Sequence, residues 1–315
     1  EEAHTAGDIH IHDKDFYMLT ETCCQIDLQK LFHDGFSTGH GYLREPQSIN
    51  SYAALACIAL QANQNEMHGG QSIPDFDYAM APGVIKTYRK RVIGILTGWA
   101  SLAGEELDLD KVKMCVDRIE RLEDSDSLRQ DLVELLNGST AESIDRILEL
   151  ALERTRSDTN QAMQALVHNL NTMNSRAGAQ VPFSSLNYGT DTSEAGRMVM
   201  SELLEVTLEG LGNGETPIFP VQIFKVKEGV NTPGDLNYDL FQKAIRTSSK
   251  RLFPNFSFLD APFNLAYYRE GDPDTEVAYM GCRTRVIGNV YDPDREVTKG
   301  RGNLSFTSIN LPRLG

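Results

Sequence analysis

Apolar and polar positions along this chain fall into two regimes, short runs of period two and longer stretches of period three to four. Residues 7–13 alternate, which predicts a strand with Asp8, His10 and His12 on one face. Residues 22–28 (TCCQIDL) also read as a strand, so Cys23 and Cys24 are expected on opposite faces. Residues 48–65, rich in Ala, Leu and Ile, predict a buried helix with Cys57 in the core, ending near Gly69 and Gly70. Helical periodicity dominates 82–174. Val112, Cys115, Ile119 and Leu122 mark one helix face, and Ser139 with Glu142 forms a capping box for a helix burying Ile144, Ile147, Leu148 and Ala151.

The second half returns to short apolar runs cut by Gly and Pro. Strands are predicted at 180–186, 217–224 and 254–259, helices at 193–208 and 238–252, and a loop at 300–303 that feeds a last strand. Strand, helix, strand at this spacing is the pattern of an α/β fold with largely parallel pairing. No internal repeat or low-complexity linker divides the 315 residues, so a single domain over 1–315 is expected.

Charge narrows the partners. With 45 acidic and 30 basic side chains the net charge is -15, which opposes binding to nucleic acid or to an anionic membrane surface. The five cysteines are odd in number and two are adjacent, unlike a secreted disulfide framework, so a reducing, cytoplasmic setting is expected. The apolar run at 53–60 is too short to span a bilayer, and no leader opens the chain. The chain lacks an initiator Met and stops shortly after Pro312, so a piece of a longer polypeptide is expected.

Two stretches carry candidate chemistry. In 278–285 (AYMGCRTR), Cys282 stands between a small apolar run and Arg283 and Arg285; the residues alone allow an activated thiol or a buried core thiol. The His10-x-His12 pair suits the start of a hydrolytic metal site, but His33, His40, His68 and His168 supply no second paired spacing, which favours polar packing.

Several segments together resemble the catalytic subunit of the anaerobic class III ribonucleoside-triphosphate reductases, glycyl-radical enzymes. They are 7–17 (GDIHIHDKDFY), 22–28, 38–46 (TGHGYLREP), 68–74 (HGGQSIP), 168–185 (HNLNTMNSRAGAQVPFSS), 211–227 (LGNGETPIFPVQIFKVK), 251–262 and 280–312. The likeness covers nearly the whole chain and is weakest in the helical block. It implies a ten-stranded α/β barrel with a central finger loop, plus inserted helices that form a dimer surface.

The resemblance also implies roles. Cys282 maps to the thiyl-forming cysteine, Cys23 and not Cys24 to its partner, Asn303 to a substrate-binding amide, and Met280 and Gly281 to the finger loop. The stretch Asn174, Ser175, Arg176, Ala177 and Gly178 is the candidate allosteric loop for an ATP or deoxynucleotide effector. Other implied partners are ribonucleoside triphosphates, a second copy in a homodimer, a radical S-adenosylmethionine activase, and formate or a small redox protein as reductant. The family's N-terminal ATP cone and its C-terminal segment with the radical glycine and a four-cysteine zinc site have no counterpart here, so no metal ligand is expected in this chain. The chemistry of the residues agrees: loss of a ribose 2′-hydroxyl needs a one-electron route, which two converging thiols and an orienting amide provide. The competing readings are a metal-dependent hydrolase using His10 and His12 and a non-catalytic nucleotide-binding remnant.

Overall fold

The computed structural model describes residues 1–16, 20–136, 138–176, 178–281, 284–286, 292 and 298–315. Strands are β1 (Ile9–Ile11), β2 (Cys23–Gln25), β3 (Phe36–Ser37), β4 (Tyr42–Leu43), β5 (Gln71–Ile73), β6 (Ser184–Tyr188), β7 (Val221–Val226), β8 (Asn255–Phe258), β9 (Ala278–Tyr279), β10 (Arg285–Val286), β11 (Gly302–Asn303) and β12 (Thr307–Ile309). Helices are α1 (Glu2–Ala6), α2 (Leu28–Asp34), α3 (Ile49–Gln64), α4 (Phe76–Ala103), α5 (Leu109–Asp117), α6 (Ser125–Leu135), α7 (Gly138–Glu142), α8 (Ile144–Thr172), α9 (Glu194–Glu209), α10 (Tyr238–Arg251), α11 (Pro262–Leu265) and α12 (Leu311–Leu314).

The main sheet has six strands in the order β11-β2-β5-β6-β7-β8. The run from β2 to β8 is parallel throughout, and β11 joins β2 antiparallel. The expected parallel α/β pairing is therefore present. A ten-stranded barrel is not what the described residues form; they make this mixed sheet, with three two-stranded pairs beside it.

The period-two alternation explains how the sheet is clothed. One face turns to the helices: Cys24 and Gln71 meet Asn63 of α3, Gln222 meets Thr207 of α9, and Phe224 lies against Phe241 of α10. Tyr188 and Phe224 are fully buried there, a burial that stabilises by about 1.5–3 kcal/mol for a large apolar side chain. Around them α3, α4, α8 and α9 pack on one another as the inserted helical layer.

Local sequence sets most element ends. Ser48 and Ser51 form a reciprocal cap on α3, and the Ser193 hydroxyl accepts the Gly196 N–H at the start of α9. Arg251, at the end of α10, donates to the carbonyls of Leu208 and Glu209, which the last turn of α9 leaves unpaired. β7 begins after Pro220, later than the predicted 217, because prolines at 217 and 220 offer no N–H to a ladder. β6 begins at Ser184, later than 180, since Gln180 instead bridges back to Arg176.

Two helix starts differ from expectation. α4 begins at Phe76, six residues before Pro82, and runs through the proline. The expected box at Ser139 and Glu142 does not open the long helix: α7 closes at Glu142 and α8 starts at Ile144. Glu105 supplies the cap there, its carboxylate accepting the Thr140 N–H at 3.3 Å. Ile144, Ile147, Leu148 and Ala151 are buried as expected.

Candidate functional site

A loop strand crosses the sheet face that the helices leave open. β9 lies over β5 and β6, held by side chains: the Ser72 hydroxyl and the Asn187 amide donate to the Tyr279 carbonyl at 2.6 and 3.0 Å, and Asn187 Oδ1 accepts the Tyr279 N–H at 3.0 Å. β9 pairs antiparallel with β10, so residues between them form the tip of a hairpin. Cys282, Arg283 and Ala177 lie outside the described residues.

The tip is seated by glycines. A Cβ on Gly281 would stand 2.7 Å from the Gly70 Cα, and one on Gly70 would stand 2.9 Å from the Gly281 Cα. Such distances permit only hydrogen at both positions, so backbone meets backbone where the loop reaches the start of β5. Gly69 is equally constrained, because a Cβ there would overlap the Thr22 carbonyl at 1.4 Å.

Cys23 lies beside this seat. It is buried with Met280 and Val286 in a small cluster separate from the main core, and Phe306 packs against it. Asn303 is Cys23's partner across the β11–β2 ladder, its carbonyl accepts the Thr22 N–H at 2.7 Å, and its side-chain Oδ1 is buried without a hydrogen-bond partner. The structure thus brings together Cys23, Met280, Gly281 and Asn303, which are widely spaced in sequence. Cys24 belongs to the other face: its thiol lies 3.5 Å from Met67 Sδ and accepts from Asn63 at 3.2 Å. Burial pushes the Cys24 thiol up to about 12, with Asn63 opposing. Cys57, in the core as expected, is likewise pushed up to about 12 by burial.

Further along the same face stand polar groups that sequence reading missed. Both amide atoms of Gln25 are buried and unpartnered, and Lys225, in the middle of the apolar run of β7, is buried in an ion pair with Glu276 at 3.1 Å. The one local signal was a single lysine in an otherwise uncharged strand, which marks a buried charge without naming its partner.

The stretch from Asn174 to Gly178 follows α8. Arg176 reaches from it to the carbonyl of His68, 3.0 Å away, in the segment that leads into Gly69 and Gly70. It also donates to Gln180 Oε1 at 3.1 Å. The predicted loop therefore touches the approach to the glycine seat.

His10 and His12 sit at the rim in β1 and just after it, paired with β12, and both are exposed. The His10 ring lies tilted against that of His4, 5.3 Å between centroids, and the His12 ring meets His10 edge-on at 6.0 Å. Among the described residues no group of three or more His, Cys, Asp or Glu side chains is placed to hold a metal ion. No helix of the described residues is long and apolar enough to cross a membrane.

The family model for anaerobic ribonucleoside-triphosphate reductase matches residues 1–315. Curated relatives carry that same name: the protein of Enterobacteria phage T4 is 29% identical over 99% of this chain and 44% of its own length, and that of Escherichia coli is 27% identical over 99% and 37%. The chain thus spans less than half the length of these relatives. Among solved structures, the anaerobic ribonucleotide reductase from Thermotoga maritima in complex with dATP and CTP superposes with a TM-score of 0.55 at 13% identity, covering 99% of this chain and 43% of that one. That likeness supports the fold.

Proposed function

The chain belongs to the anaerobic ribonucleoside-triphosphate reductase family, and from that premise we propose that it carries the substrate-reducing thiols of such an enzyme, which, joined to a radical-bearing segment, reduces ribonucleoside triphosphates to 2′-deoxyribonucleoside triphosphates. The observation that carries this reading is the convergence of Cys23, Met280, Gly281 and Asn303 at one point of the sheet, under the loop that bears Cys282. A partly open polar amide and a thiol face the same space, which suits a sugar bearing adjacent hydroxyls.

Each residue then has a task. A glycyl radical, when present, supplies the one-electron oxidation that turns the Cys282 thiol into a thiyl. Cys282 takes the hydrogen from C3′ of the ribose, and the 2′-hydroxyl leaves as water after protonation. Cys23 delivers a hydrogen to C2′, and Cys282 returns its own to C3′. The net two electrons come from a reductant, formate or a small redox protein. Asn303 Oδ1, buried and unpartnered, accepts from a ribose hydroxyl and fixes which hydrogen faces the loop. The polypeptide face around Cys23 is closed by Met280 and Phe306, which excludes water from the sulfur.

The same reading extends to the larger assembly. The six-stranded sheet is one side of a ten-stranded barrel within a single domain, the helical layer of α4 and α8 forms a homodimer surface, and a radical S-adenosylmethionine activase loads the radical in the cytoplasm. An effector, ATP or a deoxynucleotide, acts through Asn174 to Gly178, with Arg176 as the link to His68. Zinc has no ligand group among the described residues, and no step here runs through it.

The test is single-turnover reduction by the complete, radical-loaded polypeptide. Cys282→Ser is expected to abolish product and Cys23→Ala to stop it before a full turnover; normal yield from either variant removes that residue's role. In the same assay Arg176→Ala is expected to blunt the change of substrate preference with effector, and undiminished switching would assign the loop a purely structural part.

A further inference from the structure

Residues 274–276 and 298–299, on either side of the loop that bears Cys282, meet at the end of the sheet opposite the glycine seat, and there they are tied to each other and to the sheet by charge, most of it buried. The incoming leg passes Asp274 and Glu276; the outgoing leg returns through Thr298 and Lys299. Thr298 closes the base, its N–H and hydroxyl donating to the Asp274 carbonyl at 3.0 and 3.2 Å. Lys299 Nζ stands 2.6 Å from a carboxylate oxygen of Asp274 and 2.6 Å from one of Asp75, the residue that precedes α4. Glu276, 3% exposed, takes Lys225 of β7 at 3.1 Å and the Thr190 hydroxyl at 2.8 Å, with Lys227 3.6 Å away. Thr190 is itself fixed, because fully buried Asp77 accepts the N–H groups of Gly189, Thr190 and Asp191.

We infer that Glu276 and Lys299 are positioning residues for Met280 and Gly281, the segment that leads into Cys282: three carboxylates and three ammonium groups hold the chain on either side so that Gly281 stays at the glycine seat. The logic is mechanical. β9 belongs to no ladder of the main sheet, so backbone pairing does not fix the height of the loop over Cys23. Its placement rests on the side chains of Ser72 and Asn187 at mid-length and on this charged base. A charge pair sealed from water has little tolerance for displacement, because separating the partners leaves each of them desolvated. A base of hydrogen bonds open to water would slide at far lower cost. This inference rests on the reductase reading for the meaning of the position, but not for the position itself.

The experiment uses the complete polypeptide with Glu276→Gln, Lys299→Met, the milder Lys227→Gln, and Lys299→Arg as the charge-preserving control. Alkylation of each cysteine by iodoacetamide is followed by peptide mass spectrometry. Cys282 is expected to react about tenfold faster or more in Glu276→Gln and Lys299→Met, with Cys24 and Cys57 unchanged, since only the loop is released. Lys227→Gln is expected to give a smaller rise, and Lys299→Arg to stay within about twofold of the parent. In turnover, kcat falls about tenfold or more while KM holds within about twofold, because alignment and not binding is lost. Unchanged Cys282 alkylation, or equal acceleration of all three cysteines, overturns the proposal. A parent protein that fails to reduce nucleotides would defeat the reductase reading and leave the alkylation comparison standing.

Discussion

Among single residues, Asp75 shows what the charged base costs the fold. Burial pushes its carboxyl up to about 7 from the usual 3.8, against the pull of Lys299. Between about pH 4 and about pH 7 the folded chain therefore keeps a proton that the unfolded chain has released, so this group's stabilising contribution is complete below about pH 4 and is lost as pH rises to about 7. Asp75→Asn abolishes that titration. Its stability relative to the parent is expected to rise from pH 5 to pH 7 by no more than about 1.4 kcal/mol per pH unit, as read by urea unfolding at each pH. A flat difference would show that Asp75 titrates normally. Residue identity was also where the sequence was most legible for the thiols. Period-two alternation alone separates Cys23 from Cys24, and the two faces of β2 bear this out. The pairing of Lys225 with Glu276 was not legible, since a lysine in an apolar strand and a glutamate 51 residues further along reveal it only once the loop is folded over the sheet.

At the level of elements, the decisive contact is the crossing of the hairpin and β5 at Gly281 and Gly70. β5 lies inside the sheet, bonded to β2 and β6 on either side, so an added methyl must displace the hairpin. Gly281→Ala is expected to cost about 1–3 kcal/mol of stability by overpacking and to lower turnover. Gly94→Ala in α4, where a Cβ meets nothing within 4 Å, is expected to be neutral or stabilising by up to about 1 kcal/mol; thermal unfolding of the pair checks both. Equal effects from the two substitutions would mean that the crossing is not tight. Element type was readable from hydrophobic period for α3, α9, α10 and β8, whose chemistry is local. Element ends were less so. Glu105 caps a turn 35 residues away through Thr140, and a distant carboxylate leaves no mark in the local pattern that a capping box would.

For the whole molecule, the parallel order of the sheet followed from alternating strands and helices, because each crossover must return the chain to the same end. Barrel closure did not follow: the described strands make an open mixed sheet with β8 and β11 at its edges, and closure depends on partners that strand periodicity cannot supply. The excess of acid, net charge -15, was legible as a solvated surface, yet it gave no hint that six ionisable side chains would meet at the loop base, with Lys225 and Glu276 among them sealed from water. Interior charge is set by three-dimensional neighbours, not by composition.

The way β9 is attached has a kinetic consequence. At mid-length its hold on the sheet consists of the side chains of Ser72 and Asn187, so the hairpin can lift there, above its charged base, without breaking one inter-strand bond of the parallel ladder. Loop and sheet are then separate opening units. In deuterium oxide, the Tyr279 amide is expected to exchange through a local opening, at a rate indifferent to low urea, while amides of β6 and β7 wait for global unfolding and speed up with every increment of denaturant. Tyr279 exchanging in step with β6 would show that the two form one cooperative body.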